Sequence, residues 1–261
     1  MSSRKPPRGR GRAGTGAGAG SVPGSVPGSG PGSSPGASGV GGGRGGLAVS
    51  LRSARGRSVA SQRWLQRQLN DPYVAAARQQ GWRSRAAFKL IELDDRFHLI
   101  ARGARVIDLG AAPGGWTQVA LGRGAARVVG VDLLPIDPIS GAILIQGDFT
   151  APEMPARLAA ELGGRPDVVL SDMAPNTTGH ADTDHLRIMA LAEAALEFAL
   201  EVLAPGGSFV AKVFQGGTER TLLDRLKRSF AGVRHAKPPA SRKESSELYV
   251  VAMGFRGTGP A

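Results

Sequence analysis

The run Val106–Trp116, VIDLGAAPGGW, constrains this chain more than any other stretch. It reads as a short apolar strand, a turn holding three glycines, and the opening of a helix. Glycine lets the backbone come close to a ligand, and a strand, glycine turn and helix in that order open the nucleotide-binding unit of α/β folds. The dinucleotide fingerprint G-x-G-x-x-G is absent, because Ala112 stands where its second glycine would fall. The strand end carries Asp108, which suits a positively charged ligand better than a pyrophosphate. On these residues alone, an ordinary βα turn without a ligand stays open.

Beyond Gly103 the chain alternates between two textures. Apolar runs at Arg105–Leu109, Arg127–Val131, Ala142–Gln146, Asp167–Ser171 and Ser208–Phe214 predict strands. Longer amphipathic segments at Gly115–Leu121, Glu153–Leu162, Asp184–Leu203 and Glu219–Ala231 predict helices. Val233–Lys237 and Glu247–Met253 complete seven strands, the last two as a hairpin with one antiparallel member. Such alternation requires crossover connections, hence an α/β fold with a mostly parallel sheet and helices on both faces. Ahead of it, residues 59–102 predict short helices. One holds Leu65 and Leu69 and ends near Asp71-Pro72; one spans Tyr73–Gln80; a third runs from Ser84, its expected N-cap, with Phe88, Ile91 and Leu99 facing the core.

Charge separates the domain from its tail. Of 33 basic residues, 11 precede Asp71, the first acidic residue, so the rest of the chain is nearly neutral despite a net charge of +12. Residues 1–58 are Gly, Ser, Pro, Ala and Arg, too poor in apolar surface to offset ordering entropy, and predict a disordered basic tail. Its Arg-Gly pairs could hold RNA loosely, or simply be solvated. A short tail, 256–261, is expected after the domain of residues 59–255. No apolar run approaches the ~18 residues of a membrane span, which predicts a soluble protein. Cysteine is absent, excluding thiolate metal sites and a cysteine nucleophile.

Ligands of open α/β sheets lie beyond the carboxyl ends of the strands. Asp132, ending the second strand, could accept both hydroxyls of a ribose; Asp148, after the third, could receive an adenine amino group. Trp116 could pack on the same ligand, and S-adenosylmethionine is a ligand with the required positive charge. Each aspartate alone is equally a turn former. Lys212 lies inside the run FVAKVF, where an unpaired lysine is unusual. If Lys89, Lys212, Asp172 and Glu247 converge, the two like charges are expected to favour a neutral amine on one lysine, the base that takes a proton from a hydroxyl. The GHADTDH segment, Gly179–His185, is read as a loop with Asp184 as helix cap rather than a metal cluster.

In order and with compatible spacing, the blocks RWL (63–65), RSRAAFKL (83–90), DLGAAPGGW (108–116), DLLP (132–135), QGDF (146–149), SDMAPN (171–176), LAPGGSF (203–209), KVFQ (212–215) and Ser241-Arg242 to Glu247-Leu248-Tyr249 resemble the FtsJ/RrmJ (RlmE) family of ribosomal RNA 2′-O-methyltransferases. The resemblance implies a Rossmann-like S-adenosylmethionine-dependent methyltransferase fold. It implies a catalytic tetrad of Lys89, Asp172, Lys212 (the proton acceptor) and Glu247, with Glu244 as rival for the last. It implies cofactor contacts from Gly114, Trp116, Asp132, Asp148 and Asp172, and no metal. The implied reaction is transfer to a uridine ribose of large-subunit ribosomal RNA within the 50S particle, by a cytoplasmic monomer with no membrane partner. Arg83, Arg85, Lys237, Arg242 and Lys243 are the expected RNA contacts, against the alternative that they form a solvated, internally paired face. The long Gly-rich N-terminus departs from short bacterial members, and the Ser241–Glu247 wording also resembles the mitochondrial branch. Transfer RNA, a cap, or an assembly role with a vestigial fold are the rival functions.

Overall fold

The computed structural model describes residues 59–175, 178–214 and 220–257. The expected basic tail lies outside them, as do Asn176, Gln215 and the side chains of Arg63 and Trp64. Three helices come first: α1 (Val59–Leu69), α2 (Pro72–Gln79) and α3 (Ala86–Phe97). Then follow β1 (Arg105–Leu109), α4 (Gly115–Gly122), β2 (Arg127–Asp132), β3 (Ala142–Gln146), α5 (Met154–Leu162), β4 (Val168–Ser171), α6 (Ala181–Val202), β5 (Ser208–Phe214), α7 (Arg220–Ser229), β6 (Phe230–Ala236) and β7 (Glu247–Phe255).

The seven strands order as β3-β2-β1-β4-β5-β7-β6. β7 alone runs antiparallel, inserted between β5 and β6. The strands bury apolar side chains on both faces. On one face Leu158, Leu162, Met189, Leu196, Leu222 and Leu226 of α5, α6 and α7 cover Ile107, Val129 and Phe209. On the other, Ala87, Leu90, Leu93, Trp116 and Val119 of α3 and α4 cover Val106, Val128 and Val251. The chain leaves β1 toward β2 and β3, then returns to β4 on the other side. The carboxyl end between β1 and β4 is therefore a topological switch point, where such sheets take ligands.

Four local expectations change. Helix α3 starts at Ala86 without a side-chain cap; Ser84 lies beneath Gly115, its Oγ buried without a hydrogen-bond partner. The core face of α3 is Ala87, Leu90 and Leu93, while Phe88 is half-buried against Tyr73 at 5.3 Å between rings. Leu99 does join the core. Helix α6 begins at Ala181, and Asp184 reaches back from within its first turns to accept from the Thr178 N–H (2.7 Å) and Oγ1 (2.8 Å). Helix α7 ends at Ser229 because Phe230 already pairs with Phe255 in the sheet and sits in the core.

Candidate active site

The first βα turn is shaped by two glycines with positive φ. Gly110 (φ 74°) packs against Met173, and Gly114 (φ 109°) against Ile139 and Arg83, so a side chain at either would collide. Asp132 closes this turn from β2: one carboxylate oxygen accepts from the Ala112 N–H (2.9 Å), the other from the Leu134 N–H (2.8 Å). Asp148 is exposed and accepts from the Thr150 N–H and hydroxyl, which hold its carboxyl below the usual range. The Gly147 N–H bonds the Asp132 carbonyl, fixing the two strand ends side by side. Asp108 is 1% exposed, with the Thr117 hydroxyl donating to it at 2.7 Å. Burial, reinforced by the charges of Asp172 and Asp132, pushes its carboxyl up to about 7, against the Thr117 hydrogen bonds.

Trp116 is packed into the core rather than laid open to the turn. Its indole N–H donates to the Ala86 carbonyl at 2.8 Å, and its ring lies 5.7 Å from that of Tyr249.

The four expected tetrad residues converge. Lys212 Nζ is 2.7 Å from Asp172 Oδ1, 2.8 Å from the Asp172 carbonyl and 3.6 Å from Glu247 Oε2. Lys89 Nζ is 2.7 Å from Glu247 Oε2 and 3.8 Å from Asp172 Oδ1. Topology explains the meeting. Lys212 and Asp172 lie at the carboxyl ends of β5 and β4, and the antiparallel β7 starts with Glu247 at that same edge, opposite Phe214. Lys89 comes down from α3. Glu247 is fixed further by the Ser241 hydroxyl, which donates to its Oε1 at 2.7 Å. Glu244 is exposed at the rim, whereas Glu247 is the glutamate that meets the two lysines.

The charge balance differs from the expected neutral lysine. Two ammonium groups face two carboxylates, so neither lysine is left opposed only by its like. Burial alone would lower the Lys212 ammonium, but Asp172 and Glu247 hold it above its ordinary value. Burial likewise opposes ionised Asp172, yet Lys212 and Lys89 keep its carboxyl below the usual range. The paired carboxylates therefore favour the protonated form of Lys212.

Sequence reasoning missed Tyr249 as a site residue. Its hydroxyl donates to Asp172 Oδ1 at 2.6 Å, and its ring lies under Lys89, 5.7 Å from Nζ. Burial, then the negative Asp172 and Glu247, push its phenol well above the ordinary range, so it stays a donor. The signal was present: residues two apart on a strand share a face, and Tyr249 follows Glu247 by two.

Of the expected RNA contacts, Arg85 and Arg242 meet on Asp71. With Lys89, Glu244, Ser245 and Glu247 they line a cavity of about 380 Å³ on the Lys89–Glu247 side of the tetrad. Lys243 is exposed nearby, while Lys237 donates to the carbonyls of Lys243 and Ser245 and braces their loop. Arg83 stands apart: its guanidinium donates to the carbonyls of Pro113 (3.1 Å), Asp137 (2.6 Å) and Pro138 (2.7 Å), clamping the glycine turn to the segment after β2. Among the described residues, no helix is long and apolar enough to cross a membrane.

The chain is similar in sequence and fold to known methyltransferases. Residues 82–255 fit the model of the FtsJ-like methyltransferases. A Granulibacter bethesdensis protein named ribosomal RNA large subunit methyltransferase E is 73% identical over 214 residues, 82% of this chain and 93% of its own. A Gluconobacter oxydans protein of the same name is 73% identical over 208 residues, 80% of this chain and 78% of its own. A solved Plasmodium falciparum structure, described as a ribosomal RNA methyltransferase, superposes with a TM-score of 0.61 at 31% identity, covering 67% of this chain and all of that one. The chain belongs to the FtsJ-like methyltransferase family.

Proposed function

We propose that the protein transfers the methyl group of S-adenosyl-L-methionine to the 2′-hydroxyl of a uridine ribose in large-subunit ribosomal RNA, in the A-loop and at the 50S stage of maturation. The observation that carries this reading is the tetrad. Two lysines and two carboxylates, drawn from α3, β4, β5 and β7, meet within 3.8 Å beside the glycine turn. The same name borne by the bacterial relatives supports a large-subunit ribosomal RNA substrate, and a cytoplasmic location is proposed with it. All four groups come from one chain, so a monomer suffices.

The turn suits the donor. Gly110 and Gly114 leave the backbone bare, Asp132 and Asp148 offer carboxylates at adjacent strand ends, and Asp108 and Asp172 supply negative charge opposite a cation. When bound, the donor supplies a methyl already activated by positive sulfur, so the protein's main task is alignment. Lys212 accepts the hydroxyl proton. Its contacts with the Asp172 side-chain and main-chain oxygens fix the nitrogen and leave its remaining direction for the ribose oxygen. The ammonium must first give up a proton, so the reactive form is a minor species that grows with pH. Lys89, paired to Glu247, stabilises the negative charge developing on the oxygen. Tyr249 holds Asp172 in place. Arg85, Arg242 and Lys243 contact the RNA.

Mapping ribose methylation in total RNA with and without the gene tests the reading. Loss of one 2′-O-methyluridine in large-subunit RNA is expected. Loss from transfer RNA or a cap instead, or an assembly defect with methylation intact, would overturn it.

A further inference from the structure

We infer that Asp71 is a positioning residue for the substrate, holding Arg85 and Arg242 together as a clamp for one phosphodiester at the mouth of the tetrad cavity. The inference rests on the proposal that RNA enters over Lys89 and Glu247. Asp71 is the N-cap of α2, accepting from the Tyr73 N–H through Oδ1 at 3.0 Å. Its other oxygen serves a different purpose. Asp71 Oδ2 lies 3.0 Å from Arg85 Nε, 3.2 Å from Arg242 Nη2 and 3.3 Å from Arg242 Nε. Its side chain is 7% exposed, against 17% and 26% for the arginines, so the anion is beneath and the cations outside.

A cap needs none of this. Two guanidiniums converging from α3 and the β6–β7 loop would repel without the carboxylate between them. With it, the three groups keep one net positive charge, the sign that a phosphodiester requires, beside the carboxylates of Glu92 and Glu244. The loop that brings Arg242 is secured independently: Arg85 Nη2 donates to the Ala240 carbonyl at 2.6 Å, and the Ala240 N–H donates to Glu92 at 2.7 Å. Among the described residues, no protein acceptor engages Nη1 of either arginine, leaving both with donors for a ligand. Side chains already held in place lose less freedom on binding, and planar guanidiniums match phosphate geometry.

The test is steady-state methylation of unmethylated 50S particles by the full chain, with donor affinity measured in parallel. Asp71→Asn keeps the helix cap and removes the charge. It should raise KM for the particles about tenfold, as expected for loss of a charge-assisted contact, and leave kcat within about twofold and donor affinity unchanged. In the Arg242→Gln background it should add little, because both changes disable one clamp. A fall in kcat at constant KM, or effects that add in full, would overturn the inference. Should Asp71→Asn lose donor binding through misfolding, Asp71→Ser, which also caps, must show the same rise in KM. If Arg85→Gln and Arg242→Gln leave KM unchanged, the RNA reading of the cavity fails; if they raise it and Asp71→Asn does not, only the role of Asp71 fails.

Discussion

Replacing Asp108 by Asn should make the protein more stable at pH 8 relative to the unchanged chain than it does at pH 4.5. Asp108 is buried beside Thr117, and its carboxyl is pushed from 3.8 to about 7, chiefly by burial. The folded state therefore binds more protons than the unfolded state between about pH 4 and 7, so this group's contribution falls as pH rises through that window and is fully adverse above it. A shift of roughly 3 units at about 1.4 kcal/mol each makes the complete penalty about 4 kcal/mol. Most of it, about 3 kcal/mol, develops between pH 4.5 and 8. Asn carries no charge and escapes it. Any cost of an unsatisfied amide N–H, about 1–3 kcal/mol, is the same at both pH values and cancels in the difference. Guanidinium unfolding of both proteins at the two pH values reads the effect. A stability difference independent of pH would refute the account of Asp108.

Donor affinity should weaken several-fold between pH 8 and pH 6, because a cation favours ionised Asp108 and the group turns neutral below about 7; calorimetry on Asp108→Asn should find that dependence gone. Tyr249→Phe keeps the ring against Trp116 and removes the bond to Asp172. It should cost about 1 kcal/mol of stability and lower kcat without changing donor affinity, and an unchanged kcat would exclude Tyr249 from the machinery. Because Asp172 and Glu247 hold the Lys212 proton, kcat/KM should climb about tenfold per pH unit through the neutral range; a plateau near pH 7 would mean a different base.

The parallel half of the sheet was legible because each strand is an apolar run bounded by turn residues, and β1, β3 and β5 match their sequence bounds. The place of β7 was not. A hairpin pairs β6 with β7, but nothing local says that β7 also enters against β5, and that contact brings Glu247 to Lys212. The four tetrad residues were singled out by an anomalous lysine and by resemblance, whereas their protonation depended on counting charges across four elements. Lys89 shows a related limit: its pairing with Glu247 draws a polar residue to the buried side of α3, so the helix turns Phe88 away from the core. Arg83 looked like an RNA contact because exposed arginines in a basic motif do. Its partners are main-chain carbonyls some 30 to 55 positions away, which no local pattern records.

The proposed reaction requires Lys212 to take the ribose proton. Its direct test is Lys212→Ala, followed by transfer of labelled methyl from S-adenosylmethionine to unmethylated 50S particles and by donor binding to the same preparation. Transfer should fall by about 10² or more while the donor still binds. Near-normal transfer with donor bound would contradict that role of Lys212.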